Sequence, residues 1–242
     1  MSGHSKWSTI KHKKGAADAK RGKIFTRILK EITVAARLGG GDVGTNPRLR
    51  LAVDTAKGAN MPKDNWERAI KKGTGELEGV TYEEVTYEGR FPGGVAIIIE
   101  AMTDNKNRTT PEIRSYFTKF NGELGTVGSA TYLYTKQGQI VVDAEVSEDK
   151  VMEVALDAGA DDVKDEGGAW VIQTTPEAYE AVKAAVDKAG LPVIEAKIIM
   201  APSTMVELGP DKLKSFLKFL DTVEDNDDVQ NVWHNAEYDE EE

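Results

Sequence analysis

Residues 82–102 read Tyr-Glu-Glu-Val-Thr-Tyr-Glu-Gly-Arg-Phe-Pro-Gly-Gly-Val-Ala-Ile-Ile-Ile-Glu-Ala-Met. Here the hydrophobic period changes from that of a helix to that of a strand. Residues 82–88 alternate, Phe91-Pro92-Gly93-Gly94 forms a turn, and residues 95–102 make a buried strand rich in β-branched side chains. After a polar loop at 104–108, a helix is expected to begin near Thr110-Pro111, with Ile113, Tyr116, Phe117 and Phe120 as its apolar stripe. Residues 129–135 read as a further strand. A β-β-α-β run of this kind has an unprotected sheet edge and a small core. The helix expected at 210–222 and the strand at 229–233 would complete it. Between them lies a self-contained β-α-β-α-β series, at 138–142, 147–158, 169–174, 176–190 and 193–200.

Upstream the reading is helical. From Ala16 onward Ile24, Phe25, Ile28, Leu29, Ile32, Ala35 and Ala36 make one wide apolar face, ended by Gly39-Gly40-Gly41. A second helix opens with Asn46 as N-cap and Pro47 in its first turn, buries Leu49, Ala52, Val53 and Ala56, and stops at Gly58. A third starts near Pro62, turns Trp66, Ala69 and Ile70 inward, and ends at Gly73. The expected fold class is therefore α+β: an N-terminal three-helix module followed by two small α/β sandwich (ferredoxin-like) domains, one inserted in the other. The expected boundaries are 1–75 for a basic helical module, 76–134 plus 205–238 for a discontinuous domain, 135–204 for the inserted domain, and 239–242 for an acidic, solvated tail. Two consecutive domains with a C-terminal appendage are the alternative parsing.

The 242 residues carry a formal charge of −10, which taken as a whole argues against a polyanionic partner. The average hides a dipole. Residues 1–75 hold 17 Lys and Arg against 6 Asp and Glu, net +11, whereas residues 76–242 are net −21. Screening over about 8 Å at physiological salt lets a phosphate on the basic module ignore distant acidic groups. There is no cysteine, which excludes disulfides, thiolate metal sites and cysteine nucleophiles and fits a reducing cytoplasm. The longest apolar run, residues 95–99, is far short of the roughly 20 residues that span a bilayer, and the basic start lacks the apolar stretch of a secretory signal. Neither membrane nor export is expected.

Within the leader, Lys6, Lys11, Lys13 and Lys14 interleave with Trp7 and His12. Ammonium groups neutralise phosphates and release counterions, while an aromatic ring stacks on an exposed base. Lys20, Lys23, Arg27 and Lys30 recur at spacings of three and four along the first helix, and with Arg21 they extend the expected nucleic-acid-binding set. The bland alternative is that Trp7 and Ile10 pin the leader down while the lysines stay in solvent. The turn Gly58-Ala59-Asn60-Met61 is compatible with a helix-turn-helix in which Lys63, Asn65 and Arg68 reach base edges, although Asp64 and Glu67 oppose it. A secondary site is expected in the loop Asp104-Asn105-Lys106-Asn107-Arg108-Thr109, where Asn107, Arg108 and free helix amides can hold a phosphate; its alternative is a turn capped by Thr109 or Thr110. No metal site, cofactor or catalytic set is expected. His4, His12 and His234 have no ligand spacing, there is no GxSxG or phosphate-cradling glycine loop, and Asp161-Asp162 and Asp227-Asp228 read as solvated pairs.

Gly3-His4-Ser5-Lys6-Trp7, Ile10-Lys11-His12-Lys13, the run from Asp18 through Phe25, Pro92-Gly93-Gly94-Val95-Ala96-Ile97 and Thr103-Asp104-Asn105-Lys106-Asn107-Arg108-Thr109 occur in this order. Together they closely resemble the YebC/PmpR family, which also includes the mitochondrial translational activator of cytochrome oxidase. The resemblance covers nearly the whole chain; Arg90-Phe91 departs from the Tyr-Gly-like pair expected before the turn. It implies three domains with a cleft between the two α/β domains, a cytoplasmic location, and one of two activities. One is DNA-binding regulation of transcription. The other is a ribosome-associated translation factor that binds ribosomal RNA and relieves stalling at consecutive prolines. A small-molecule sensor using the cleft is a third class. Oligomeric state is not legible.

Overall fold

The computed structural model describes residues 17–238, with side chains from residue 21 onward. Residues 17–132 together with Met205–Ala236 form one compact unit, and Leu133–Thr204 form the other. The mixed helix-and-sheet class with one domain inserted in another is observed.

The first unit begins with three helices, α1 (Ala17–Gly39), α2 (Pro47–Gly58) and α3 (Lys63–Thr74). Their core joins Ile28, Ile32, Ala35 and Ala36 of α1 to Leu49, Ala52, Val53 and Ala56 of α2 and Ala69 of α3, with Phe25, Leu29, Trp66 and Ile70 packed against it. Ile24, expected on the apolar face, is instead 46% exposed. Asn46 does more than cap α2. Its Oδ1 accepts the Leu49 N–H at 3.1 Å while its Nδ2 donates to the Ala35 and Gly40 carbonyls at 2.9 and 2.8 Å, so one buried side chain satisfies both helix ends. At Gly73, α3 approaches α1 so closely that a Cβ would overlap the Thr33 carbonyl oxygen and the Ala36 side chain.

β1 (Glu83–Phe91) and β2 (Val95–Thr103) form a hairpin in which Phe91 faces Val95 and Glu83 faces Thr103. Its turn places Gly93 at φ +106° and Gly94 at φ +88°, a region that side-chain-bearing residues avoid. Helix α4 (Lys106–Lys119) follows, then β3 (Glu123–Leu124), which pairs with Gly89 and Arg90 of β1. The helix starts earlier than expected because Asn105, not Thr109 or Thr110, caps it, accepting the Arg108 N–H at 3.2 Å.

The strand expected at 129–135 does not form in this sheet. Instead the amides of Gly128, Ala130 and Thr131 donate to the buried Glu88 carboxylate at 2.8, 2.7 and 2.8 Å, which takes them out of any ladder. A short 3-10 turn at Thr131–Leu133 then leads into the second unit.

That unit runs β4 (Tyr134–Asp143), α5 (Glu148–Asp157), β5 (Asp162–Asp165), β6 (Ala169–Thr174), α6 (Tyr179–Lys188) and β7 (Val193–Pro202). The antiparallel order β5-β6-β4-β7 is that of a ferredoxin-like β-α-β-β-α-β sandwich. β5 falls where a surface turn at Asp161-Asp162 was expected. Its sequence, Asp-Val-Lys-Asp, is polar at three of four positions and carries no alternation to read, because an edge strand need bury little.

On return to the first unit, β8 (Val206–Glu207) precedes α7 (Pro210–Glu224), β9 (Val229–His234) and β10 (Ala236–Glu237). β8 and β10 pair in a separate ladder. β9 lies antiparallel to β2 and completes the sheet β3-β1-β2-β9. β2 is thereby covered on both edges, which suits its apolar run Val95-Ala96-Ile97-Ile98-Ile99, all buried. Phe91, Phe117, Phe216 and Phe219 interlock beneath it with ring centroids 5.1–5.5 Å apart.

Candidate nucleic-acid interface

Lys6, Trp7, Lys11, His12, Lys13 and Lys14 lie outside the described residues, as does the side chain of Lys20 and the acidic tail at 239–242. The remaining members of the expected set can be placed. Arg21 is exposed, its guanidinium 5.4 Å from the centre of the Phe25 ring.

The other three cations point at protein. Lys23 Nζ donates to Asp225 Oδ1 at 2.5 Å and to the Asp225 carbonyl at 3.1 Å. Arg27 Nη2 donates to the Glu224 carbonyl at 2.5 Å. Burial pulls the Arg27 pKa down, against the raising influence of Glu224, Asp227 and Asp225. Lys30 is buried: its Nζ donates to Asp228 Oδ1 at 2.8 Å, to the Asp227 carbonyl at 2.9 Å and to the Met102 carbonyl at 3.1 Å. It also sits 5.1 Å from the centre of the Tyr82 ring. The stripe of α1 expected to face phosphate therefore docks, at these three residues, on the turn Glu224-Asp225-Asn226-Asp227-Asp228 between α7 and β9. That turn is itself anchored, since Asn226 Nδ2 donates to Glu112 Oε2 and to the Tyr116 hydroxyl of α4.

Asp228 is the residue that sequence reasoning missed. Expected in solvent, its side chain is 6% exposed and lies where four elements of the first unit converge. Besides Lys30, its carboxylate accepts from Arg108 Nη2 at 2.6 Å, from the Thr109 hydroxyl at 2.7 Å and from the Thr103 hydroxyl at 3.1 Å. Burial alone would raise its pKa. Donation by Lys30, Arg108 and Thr109 overrides that and holds it at about 2.

The loop expected as a secondary phosphate site thus closes around an internal carboxylate. Arg108 also meets Asp104 at 2.9 Å, and Asp228 and Asp104 together push its pKa up. Thr109 is fully buried, Asn105 is the helix cap, and Lys106 pairs with Glu83 at 2.5 Å. Asn107 alone among the six is exposed without such a role. A local signal existed in the acidic run at 224–228, opposite in sign to Lys23, Arg27 and Lys30, but nothing in the sequence places two segments some 200 residues apart in contact.

Most other described cations of the module are engaged too. Arg48 bridges Glu31 and Glu84 at 2.6 and 2.7 Å, Arg37 donates to the Tyr82 carbonyl, Arg50 to the Val43 and Gly44 carbonyls, and Lys57 pairs with Asp54. On α3, Lys63 meets Glu67 at 3.3 Å. Arg68, Lys71 and Lys72 are exposed on that helix, and no carboxylate among the described residues pairs with them.

These features define a class: α+β proteins with a cationic helical module at the amino end, clasped to a split sandwich that carries a second, ferredoxin-like sandwich as an insert. Residues 5–76 match the TACO1/YebC protein N-terminal domain, and residues 82–236 match the TACO1/YebC second and third domain. The chain belongs to the TACO1/YebC family. It is 60% identical to a probable transcriptional regulatory protein of Geobacter sulfurreducens, over 97% of this chain and 95% of that protein. A probable transcriptional regulatory protein of Geobacter sp. (strain M21) is 58% identical over 100% of this chain and 98% of its own length. Among solved structures, a conserved hypothetical protein from Aquifex aeolicus superposes with a TM-score of 0.88 at 48% identity, covering 98% of both chains. Among the described residues, no helix is long and apolar enough to cross a membrane.

Proposed function

We propose that this protein is a non-enzymatic, cytoplasmic regulator of gene expression that grips nucleic acid through the backbone, using its amino-terminal module. The observation that carries this reading is the segregation of charge, net +11 in residues 1–75 against net −21 in the rest. Lys6, Lys11, Lys13, Lys14 and Lys20 supply phosphate contacts, Trp7 or His12 stacks on a base, and Arg21 continues the set. Lys23, Arg27 and Lys30 are reassigned to clasping the module to the sandwich, because their head groups meet the 224–228 turn. The name that the relatives carry, probable transcriptional regulatory protein, supports DNA as the target.

A second reading, ribosomal RNA contacted by a ribosome-associated translation factor, is favoured by one observation. The helix best placed to read bases, α3, has Lys63 paired with Glu67 and Asp64 in its first turn, an arrangement poor at approaching base edges beside phosphates. Backbone contacts position a protein without reading sequence, which suits structured RNA. Sequencing of nucleic acid crosslinked to the protein in cells separates the two: promoter peaks support transcription, and ribosomal RNA without promoter peaks removes it. In solution, replacing Lys11, Lys13 and Lys14 by Ala is expected to lower affinity for any sequence. The logarithmic salt slope should fall by about 0.7 to 0.9 for each phosphate that is no longer neutralised. An unchanged slope would remove these lysines from the interface.

A further inference from the structure

Glu88 and Arg90 stand two residues apart on β1 and so project from the same face of the strand. Glu88 is buried and grips the loop 125–131 from within: its carboxylate takes three backbone N–H groups, and its carbonyl accepts the Gly125 N–H at 2.8 Å. Ala130, fully buried, anchors the same loop. Beyond the brace the chain presents two open side chains, Val127 at 88% and Tyr132 at 67% exposure. Arg90, exposed in a body that is otherwise strongly acidic, donates to the Tyr132 hydroxyl at 3.3 Å, a long bond that competes weakly with other acceptors. Two acids lie nearby, Glu88, whose carboxylate is taken up by backbone N–H groups, and Glu123 across the strand pair; among the described residues neither forms an ion pair with Arg90.

We infer that Arg90 and Tyr132 form a second contact for single-stranded nucleic acid, in which one unpaired base stacks on the Tyr132 ring and the adjoining phosphate meets the Arg90 guanidinium. This rests on the nucleic-acid reading above and adds a site in the sandwich that the basic module does not contain. The remaining exposed residues of the loop, Gly125, Thr126, Gly128 and Thr131, add little apolar surface to Val127 and Tyr132. A flat π face beside a cation fits a nucleotide, because every base offers a face and every linkage a negative charge. The brace from Glu88 orders the loop before binding, so less conformational freedom is lost when a base docks.

The test uses the full chain and a fluorescein-labelled, mixed-sequence single-stranded 12-mer RNA, with anisotropy titrations at several salt concentrations and the same sequence as a duplex for comparison. Tyr132→Ala is expected to weaken single-strand binding at least about fivefold and to leave duplex binding unchanged. Tyr132→Phe, which keeps the ring, should bind like the parent. Arg90→Ala should lower the salt slope by about 0.7. Both positions are exposed, and thermal melting of each variant verifies folding. Binding of Tyr132→Ala equal to that of the parent, or a Tyr132→Phe as weak as Tyr132→Ala, overturns the site while leaving the function of the basic module standing. A parent chain that binds neither strand form overturns both.

Discussion

Replacing Asp228 by Asn is the most searching perturbation of the clasp between α1 and the sandwich. The side chains of Lys30 and Asp228 are 9% and 6% exposed and meet at 2.8 Å, so the substitution leaves an ammonium group in the interior with two carbonyls and an amide for company. Removing one partner of a buried pair costs about 3–5 kcal/mol. The depression of the Asp228 carboxyl by the same contacts, from 3.8 to about 2, corresponds to about 2 kcal/mol in favour of the ionised form, the same order of magnitude. The Asn side chain still accepts from a hydroxyl, and the half-exposed Arg108 can fall back on Asp104, which argues for the lower end, about 3 kcal/mol. Lys30→Met should cost less, because Arg108, Thr103 and Thr109 continue to serve the carboxylate. The double variant should be less unstable than the two single losses combined, by about 1–3 kcal/mol. Native-state hydrogen exchange read by mass spectrometry gives the measurement. Peptides from 17–39 and 225–234 should lose protection, while those from 134–202 serve as the internal reference. A loss below about 1 kcal/mol, or additivity within about 0.5 kcal/mol, would refute the claim that this pair holds the helix to the sheet.

Three further predictions concern the same unit. Glu88→Gln sets an amide donor against one of three backbone N–H groups and should cost about 1–3 kcal/mol, with the exchange of the Gly128 amide rising first. For pH, burial would raise the Glu88 carboxyl, but the N–H groups of Gly128, Ala130 and Thr131 hold it at about 2, and Asp228 lies at about 2 as well. Both carboxylates are depressed from ordinary values of 4.5 and 3.8, so their stabilisation is complete above pH 4.5 and disappears as pH falls toward about 2. Denaturant midpoints of this unit should drop across that window in the parent, and the drop should shrink in Glu88→Gln; an equal drop in both would exclude Glu88 as a source. At Gly73, substitution by Ala forces α3 away from Thr33 and Ala36, with an expected loss of about 1–3 kcal/mol, and an unchanged melting temperature would show that the contact is slack.

Much of the fold was legible because its signals are local. The periods of α1 and α2, the Asn46 cap, the Gly93-Gly94 turn and the apolar run of β2 each express a constraint within a few residues. The return of the last helix and strand was legible for a different reason, since an open sheet edge requires a partner and β9 is the one found. The signal failed where the chain's alternatives are locally equivalent. Residues 129–133 are as suitable for a strand as for a loop until Glu88 takes up the amides of Ala130 and Thr131, whereas Tyr134 and Thr135 open β4 of the other unit, and the polar β5 is visible only once β6 lies beside it.

The candidate site divides in the same way. Composition and spacing established that the amino end is cationic and that Lys23, Arg27 and Lys30 share a helix face. Whether that face meets phosphate or carboxylate depends on what lies opposite, and the opposite surface, the turn at 224–228, arrives from the far end of the chain. A charge on a helix has a sign and a direction by virtue of its neighbours in sequence. Its partner is selected only when the tertiary fold brings a counter-charge within reach and withdraws the surrounding water.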